Sequence, residues 1–284
     1  MKQCFMNSVL VKDFVCLFQD ITHRCFVAQV HKKNVSVTKR ITLKINSIKN
    51  LLIKIAFTAS IVLILLVREP LTLISQFALR RDGGLSGSYQ FHRLWEIRNL
   101  LRKEKILSGI EFGSGASTII FAKYITSFVS IEESADWRTH YLKNLKFLKF
   151  FNTDLYRRVE DSIHVAIRRE FLDNNGELVC SYELPENISQ HFYELAYVDG
   201  PTNWIQSDLE SGAYVRDPLR LLPNVSIFEL TTLPRIILVD GRRSTVSYIL
   251  SMERMLNYSL ALKGQYFSPQ KFLNYHSLFR DKSF

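Results

Sequence analysis

The chain has 284 residues, room for one domain of ordinary size plus an appendage, and its 47% apolar and 12% aromatic content excludes disorder over most of that length. The formal net charge of +10 points to nucleic acid only until it is divided along the chain: residues 1–70 carry 11 Lys or Arg against Asp13, Asp20 and Glu69, whereas residues 71–284 carry 26 against 24. The downstream part, with a net of +2, lacks the basic footprint of phosphate-backbone binding, so no nucleic-acid partner is expected.

Residues 1–50 form a basic leader without strong periodicity, and Cys4, Cys16 and Cys25 lie in it with no CxxC spacing that would imply zinc or a disulfide framework. Residues 51–67 are apolar except for Lys54 and small hydroxyl residues, and as a helix would extend roughly 26 Å, slightly short of a hydrocarbon core. Arg68-Glu69-Pro70 closes the run, so residues 51–81 are expected to hold a membrane helix and its flank, with a cytoplasmic N-terminus weakly favoured and no cleavable signal expected for a run that begins 50 residues in. This makes the chain membrane-associated through residues 51–67, on a side that the charges leave open.

Asp82-Gly83-Gly84-Leu85-Ser86-Gly87-Ser88 reads as a linker, 82–89, and a domain over 90–284 follows. Phe91, Leu94, Trp95, Arg98 and Leu101 have helical spacing, predicting an amphipathic helix to about Lys105. Then strands and helices alternate: a strand at 106–112 ending on Gly113-Ser114-Gly115, a helix at 116–124, a strand at 128–131 ending on Glu132-Glu133, and a helix through Trp137, Tyr141 and Leu145. A third strand is expected within 150–159, a fourth at 193–198 before Asp199-Gly200-Pro201, a fifth at 235–239 before Asp240-Gly241, and a closing antiparallel hairpin over 258–278 around Gly264. Such alternation predicts a mostly parallel sheet with crossover helices.

In open α/β sheets ligands bind beyond the carboxyl ends of the strands, where this chain places its polar residues. Gly113 and Gly115 stand where backbone must approach a ligand closely, and Ser117 and Thr118 open the next helix at its positive end. Glu132 or Glu133 could accept hydrogen bonds from a ribose diol. The full GxGxxG fingerprint of dinucleotide enzymes is absent, because Thr118 holds the third glycine position. Cys180 reads as a buried or free thiol.

Through Gly109-Ile110-Glu111-Phe112-Gly113-Ser114-Gly115-Ala116-Ser117-Thr118, Val129-Ser130-Ile131-Glu132 and Ala196-Tyr197-Val198-Asp199-Gly200-Pro201, the chain resembles the class I S-adenosylmethionine (SAM)-dependent methyltransferases over about residues 88–260. Within them it looks most like the group with xylan glucuronic-acid O-methyltransferases, whose pattern Trp137 also fits. The resemblance implies a Rossmann-like methyltransferase fold. It also implies that Glu111, Gly113, Ser114, Gly115 and Ser117 hold the amino-acid end of SAM, that Glu132 takes its ribose, and that Asp199 faces the reaction centre as base, with His92 and His191 as other bases. Arg242 and Arg243 would hold an acidic acceptor such as a uronate or phosphate. Metal-dependent relatives carry an amide after the fifth strand; here Gly241-Arg242-Arg243 follows Asp240, so a divalent metal between Asp199 and Asp240 is unsupported and none is assigned. The expected activity is O-methylation of a carbohydrate or other small hydroxylated acceptor; a catalytically silent SAM-binding protein and an NAD-type oxidoreductase are the alternatives.

Overall fold

A computed structural model of the chain describes residues 58–81, 91–200, 222–262 and 276–283, together with 48, 55 and 56. The leader, apart from Ile48, and the 82–89 linker lie outside the described residues, as does Gly264.

The centre is a seven-stranded sheet of order β3-β2-β1-β6-β7-β9-β8. Its strands are β1 (Ser108–Phe112), β2 (Ser127–Glu132), β3 (Ile163–Val165), β6 (Leu195–Val198), β7 (Ile236–Asp240), β8 (Tyr258–Leu262) and β9 (His276–Asp281). The pairs β1–β2, β2–β3, β1–β6 and β6–β7 are parallel, and β9 alone runs against its neighbours β7 and β8. Counting only strands of this sheet, the order is 3-2-1-4-5-7-6; in the dinucleotide order 3-2-1-4-5-6 the sixth strand pairs directly with the fifth. The fold is therefore mixed α/β with a mostly parallel sheet and a closing antiparallel hairpin.

Period-two alternation sends each parallel strand's side chains to opposite faces. Leu195, Tyr197, Ile236 and Leu238 join one apolar cluster; Ile110, Phe112, Ala196, Val198, Ile237 and Val239 join another. The first cluster is covered by α2 (Pro70–Arg81), α3 (Phe91–Glu104), α4 (Ala116–Tyr124), α5 (Ala135–Asn144) and α7 (Thr153–Ser162), which bring Leu79, Leu94, Ile119, Tyr141 and Val159 to it; a single turn, α6 (Leu148–Phe151), precedes α7. The second is covered by the short α8 (Glu186–Ser189) and by α9 (Arg243–Ser251).

Two local expectations are corrected. Residues 153–162 are helical: the Asn152 side chain accepts the Leu155 N–H at 2.9 Å as a cap, and Leu155, Tyr156, Val159 and Ser162 fall on one buried face. The third strand follows that helix. Between β3 and α8 stands an unexpected antiparallel hairpin, β4 (Arg168–Leu172) with β5 (Leu178–Tyr182). Its turn is closed by the Asp173 carboxylate, which accepts the N–H groups of Asn175 and Glu177 at 2.9 and 2.8 Å, with Gly176 at φ +77°.

The hydrophobic stretch departs from a straight span. Helix α1 (Thr58–Arg68) meets α2 at a 115° bend, and no single helix among the described residues is long and apolar enough to cross a membrane, although the bent pair passes on length and composition. Pro70 opens α2, where a missing N–H costs nothing. At the corner Glu69 is 1% exposed and accepts hydrogen bonds from Arg98 Nε (2.9 Å), Lys123 Nζ (2.6 Å) and the Tyr124 hydroxyl. Burial alone would push its carboxyl up, but the bonds from Lys123, Tyr124 and Arg98 hold it below the usual range. With Leu79 in the sheet's own cluster, residues 69–79 are packed into the domain rather than tethered beside it.

Candidate functional site

Strand order reverses between β1 and β6, and that switch point is where an open α/β sheet leaves a crevice. The loop Gly113-Ser114-Gly115 leaves β1 there, and Asp199-Gly200 leaves β6 beside it. The two turns are locked together: the N–H groups of Asp199 (2.9 Å) and Gly200 donate to the Phe112 carbonyl. Gly113 has φ +98°, and a Cβ on it would stand 2.5 Å from the Gly200 nitrogen. Its lack of a side chain thus lets the loop pack against the neighbouring turn. A Cβ on Gly115 would meet nothing nearer than Ser117 Oγ at 3.9 Å, so the open side of the loop is at Gly115.

Glu111 points to the α4 face, is 0% exposed, and accepts hydrogen bonds from Ser117 Oγ (2.5 Å), Thr118 Oγ1 (2.7 Å) and Ser130 Oγ (2.8 Å). Burial pushes its carboxyl up to about 8 against the pull of those hydroxyls. These three bonds tie Glu111, with Ser117 and Thr118, to the start of α4. Thr118 also accepts the Gly115 N–H at 2.9 Å. From α5, Trp137 Nε1 donates to the Ser114 carbonyl (3.2 Å) and the Tyr141 hydroxyl to the Gly115 carbonyl (2.8 Å). Trp137 and Tyr141 thus hold the loop from α5.

Glu132 ends β2 across from the loop and is 6% exposed. Its Oε1 accepts the N–H groups of Glu133 (2.8 Å) and Ser134 (3.1 Å), and its Oε2 that of Ser114 (3.2 Å). A carboxylate offers about four lone-pair sites, so three are occupied and one remains, on Oε2. Burial pushes its carboxyl up to about 7, with the Ser134 and Ser114 N–H groups opposing the shift. Glu133 turns away to Arg168 Nε at 3.7 Å, separating the two acids that the sequence left as alternatives.

At the other side of the switch point, Arg242 donates to the Asp199 carbonyl and lies 3.8 Å from its Oδ1. Asp240, 3% exposed at the end of β7, pairs with Arg93 from the first turn of α3, and its Oδ1 is buried without a partner. Arg242 and Arg243 thus diverge: Arg242 is bound to Asp199, whereas Arg243 opens α9 exposed to solvent. Asp199 and Asp240 each face an arginine, and among the described residues no group of three or more His, Cys, Asp or Glu is placed to hold a metal ion.

The alternative bases lie elsewhere. His92 meets Thr58 Oγ1 of α1 at 3.1 Å, and burial brings its imidazole down to about 4. His191 is exposed against the Tyr193 ring before β6 begins, at the opposite end of that strand from Asp199. Cys180 is buried, its thiol pushed up to about 11 by burial, as an inert core thiol should be. Sequence reasoning missed Arg93, whose signal is visible only once α3 is placed over β7.

No protein-family model matches the chain, and no curated protein matches it. Among solved structures it is similar to an O-methyltransferase from Bacillus cereus in complex with S-adenosylhomocysteine, at 14% identity and a TM-score of 0.45, covering 79% of this chain and 94% of that one. It is also similar to cofactor-bound Rv0187 from MTB, at 14% identity and a TM-score of 0.42 over 75% and 90% of the two chains. A third is the O-methyltransferase TomG from Streptomyces achromogenes in complex with SAM, at 14% identity and a TM-score of 0.38 over 75% and 89%.

Proposed function

We propose that this chain is a SAM-dependent methyltransferase acting on a small hydroxylated acceptor. The observation that carries the reading is Glu132, a nearly buried carboxylate at the end of β2 with one acceptor site left, facing a glycine loop that opens at Gly115. The sheet order supports it against an NAD-type oxidoreductase, since β9 is inserted antiparallel between the fifth and sixth main strands. In this reading Glu132 accepts one ribose hydroxyl of SAM, and the backbone at Gly115 and the start of α4 lies along its amino-acid end.

SAM supplies a methyl group on a sulfonium that is already a good leaving group, so the protein's part is alignment and proton removal. In this reading Asp199, anchored through its own N–H to Phe112 and through its carbonyl to Arg242, receives the acceptor's hydroxyl proton. A uronate or phosphate acceptor would compete with Asp199 for Arg242. The carbohydrate reading of the acceptor rests on the sequence resemblance alone.

The test is turnover: purified chain with SAM and a panel of hydroxylated acceptors, including uronic-acid oligosaccharides, should release S-adenosylhomocysteine. Asp199→Asn should lower kcat by ~10²-fold or more while SAM affinity stays within about twofold. SAM binding without turnover on any acceptor favours the silent binding protein instead.

A further inference from the structure

Helix α1 is two-faced. Ile61, Val62 and Leu65 are buried against Leu73, Phe77 and Phe91, while Ser60, Leu63 and Val67, at helical spacing with Ile64 beside them, face outward. Leu63 is 61% exposed and Val67 74%. An outward apolar stripe on a helix whose other side is already packed calls for an occupant.

Charge decides which occupant. Between Asp20 and Glu69 the sequence holds nine Lys or Arg and no acid, the last two being Lys54 and Arg68, which flank the stripe. A second copy would bring an equal positive charge against it. Spanning is opposed by the packing at the corner: Ile61, Val62 and Leu65 are already buried against Leu73, Phe77 and Phe91, and straightening into α2 would pull Glu69 away from Arg98, Lys123 and Tyr124. A helix with one outward apolar side and a basic approach is the form that lies in an anionic lipid interface.

We propose that α1 rests in the headgroup boundary of an anionic membrane, with Leu63, Ile64 and Val67 toward the acyl chains and the positive charge of the sequence around it supplying the attraction to the lipid phosphates, and that α1 does not cross the bilayer. The inference is independent of methyl transfer.

The experiment is flotation of the full chain with vesicles of phosphatidylcholine alone, and with about 30% phosphatidylserine added. Binding is expected only to the second and should weaken as salt is raised to about 0.5 M, where screening is strong. Leu63→Glu with Val67→Glu should lower the bound fraction about tenfold or more at an unchanged melting temperature, because both side chains are exposed and no packing is lost. Flotation unaffected by this double substitution overturns the proposal, as does equal binding to both vesicles. Resistance to alkaline carbonate extraction, with the domain protected from added protease, would show a span and overturn it too.

Discussion

The affinity of the chain for SAM should depend on pH through Glu132, and the structure sets both the direction and the size. A ribose hydroxyl donates to a carboxylate, so the ionised form binds, and burial has raised this carboxyl to about 7. Between pH 8 and pH 6 the ionised fraction falls from about 0.9 to about 0.1, and Kd should rise about tenfold. The α-amino group of SAM titrates in a neighbouring range, about 7.7–8.0 in model compounds, so methylthioadenosine, which keeps the ribose and lacks the amino acid, should show the same slope. In Glu132→Gln the amide oxygen can still take the Glu133 and Ser134 N–H groups, but the NH₂ then faces the Ser114 N–H and offers the ribose no acceptor. Losing one charge-assisted hydrogen bond costs about 1.5–3 kcal/mol, tenfold to over a hundredfold in Kd. Calorimetric titration at pH 6, 7 and 8 should therefore give a weak and pH-flat variant, with Glu133→Ala close to the parent because Glu133 turns to Arg168. A variant that keeps the pH slope, or a parent without one, refutes this placement of the ribose.

Gly113→Ala should destabilise the fold, since the backbone conformation alone costs about 1–3 kcal/mol and the Cβ runs into the Gly200 backbone. Gly115→Ala should instead melt like the parent and lose SAM affinity, a contrast that thermal shift with and without SAM reads directly. Truncation to residues 83–284 should fail to give a cooperative melt, and Glu69→Ala in the full chain, which leaves the buried Arg98 without its carboxylate, should cost about 3–5 kcal/mol by urea denaturation. The carboxyls of Glu111 and Glu132 are raised above their unfolded values, so their stabilising contribution is complete below about pH 4.5 and is lost as pH rises to about 7 for Glu132 and about 8 for Glu111. The melting temperature of the ligand-free chain should accordingly fall between pH 5 and pH 8.5, and Glu111→Gln, whose three hydroxyl partners can turn to suit an amide, should flatten that fall.

The parts of the fold that repeat a simple period were readable from residues alone. The helix from Phe91, the strand into Gly113-Ser114-Gly115, α4 over Ala116–Tyr124 and the paired acids after β2 all stand within two residues of expectation. At 150–159 the expected strand is a helix, and Asn152 as a cap with the spacing of Leu155, Tyr156 and Val159 are its signals in the sequence. Asp173-Asn174-Asn175-Gly176 is equally a hairpin signal in the sequence, and it turns β4 into β5. The partners of the site residues were not legible, since they depend on which elements meet: Glu111 with three hydroxyls from α4 and β2, Asp240 with Arg93 of α3, and Glu69 with Arg98, Lys123 and Tyr124. That last network holds the corner between α1 and α2 against the domain.

The central claim is that the crevice at the β1–β6 switch point takes SAM. Titration of the full chain with SAM and, separately, with NAD tests it most directly: saturable binding of one SAM per chain at ~micromolar Kd, with no heat from NAD, is the result expected. Binding of NAD in place of SAM, or of neither, would contradict it.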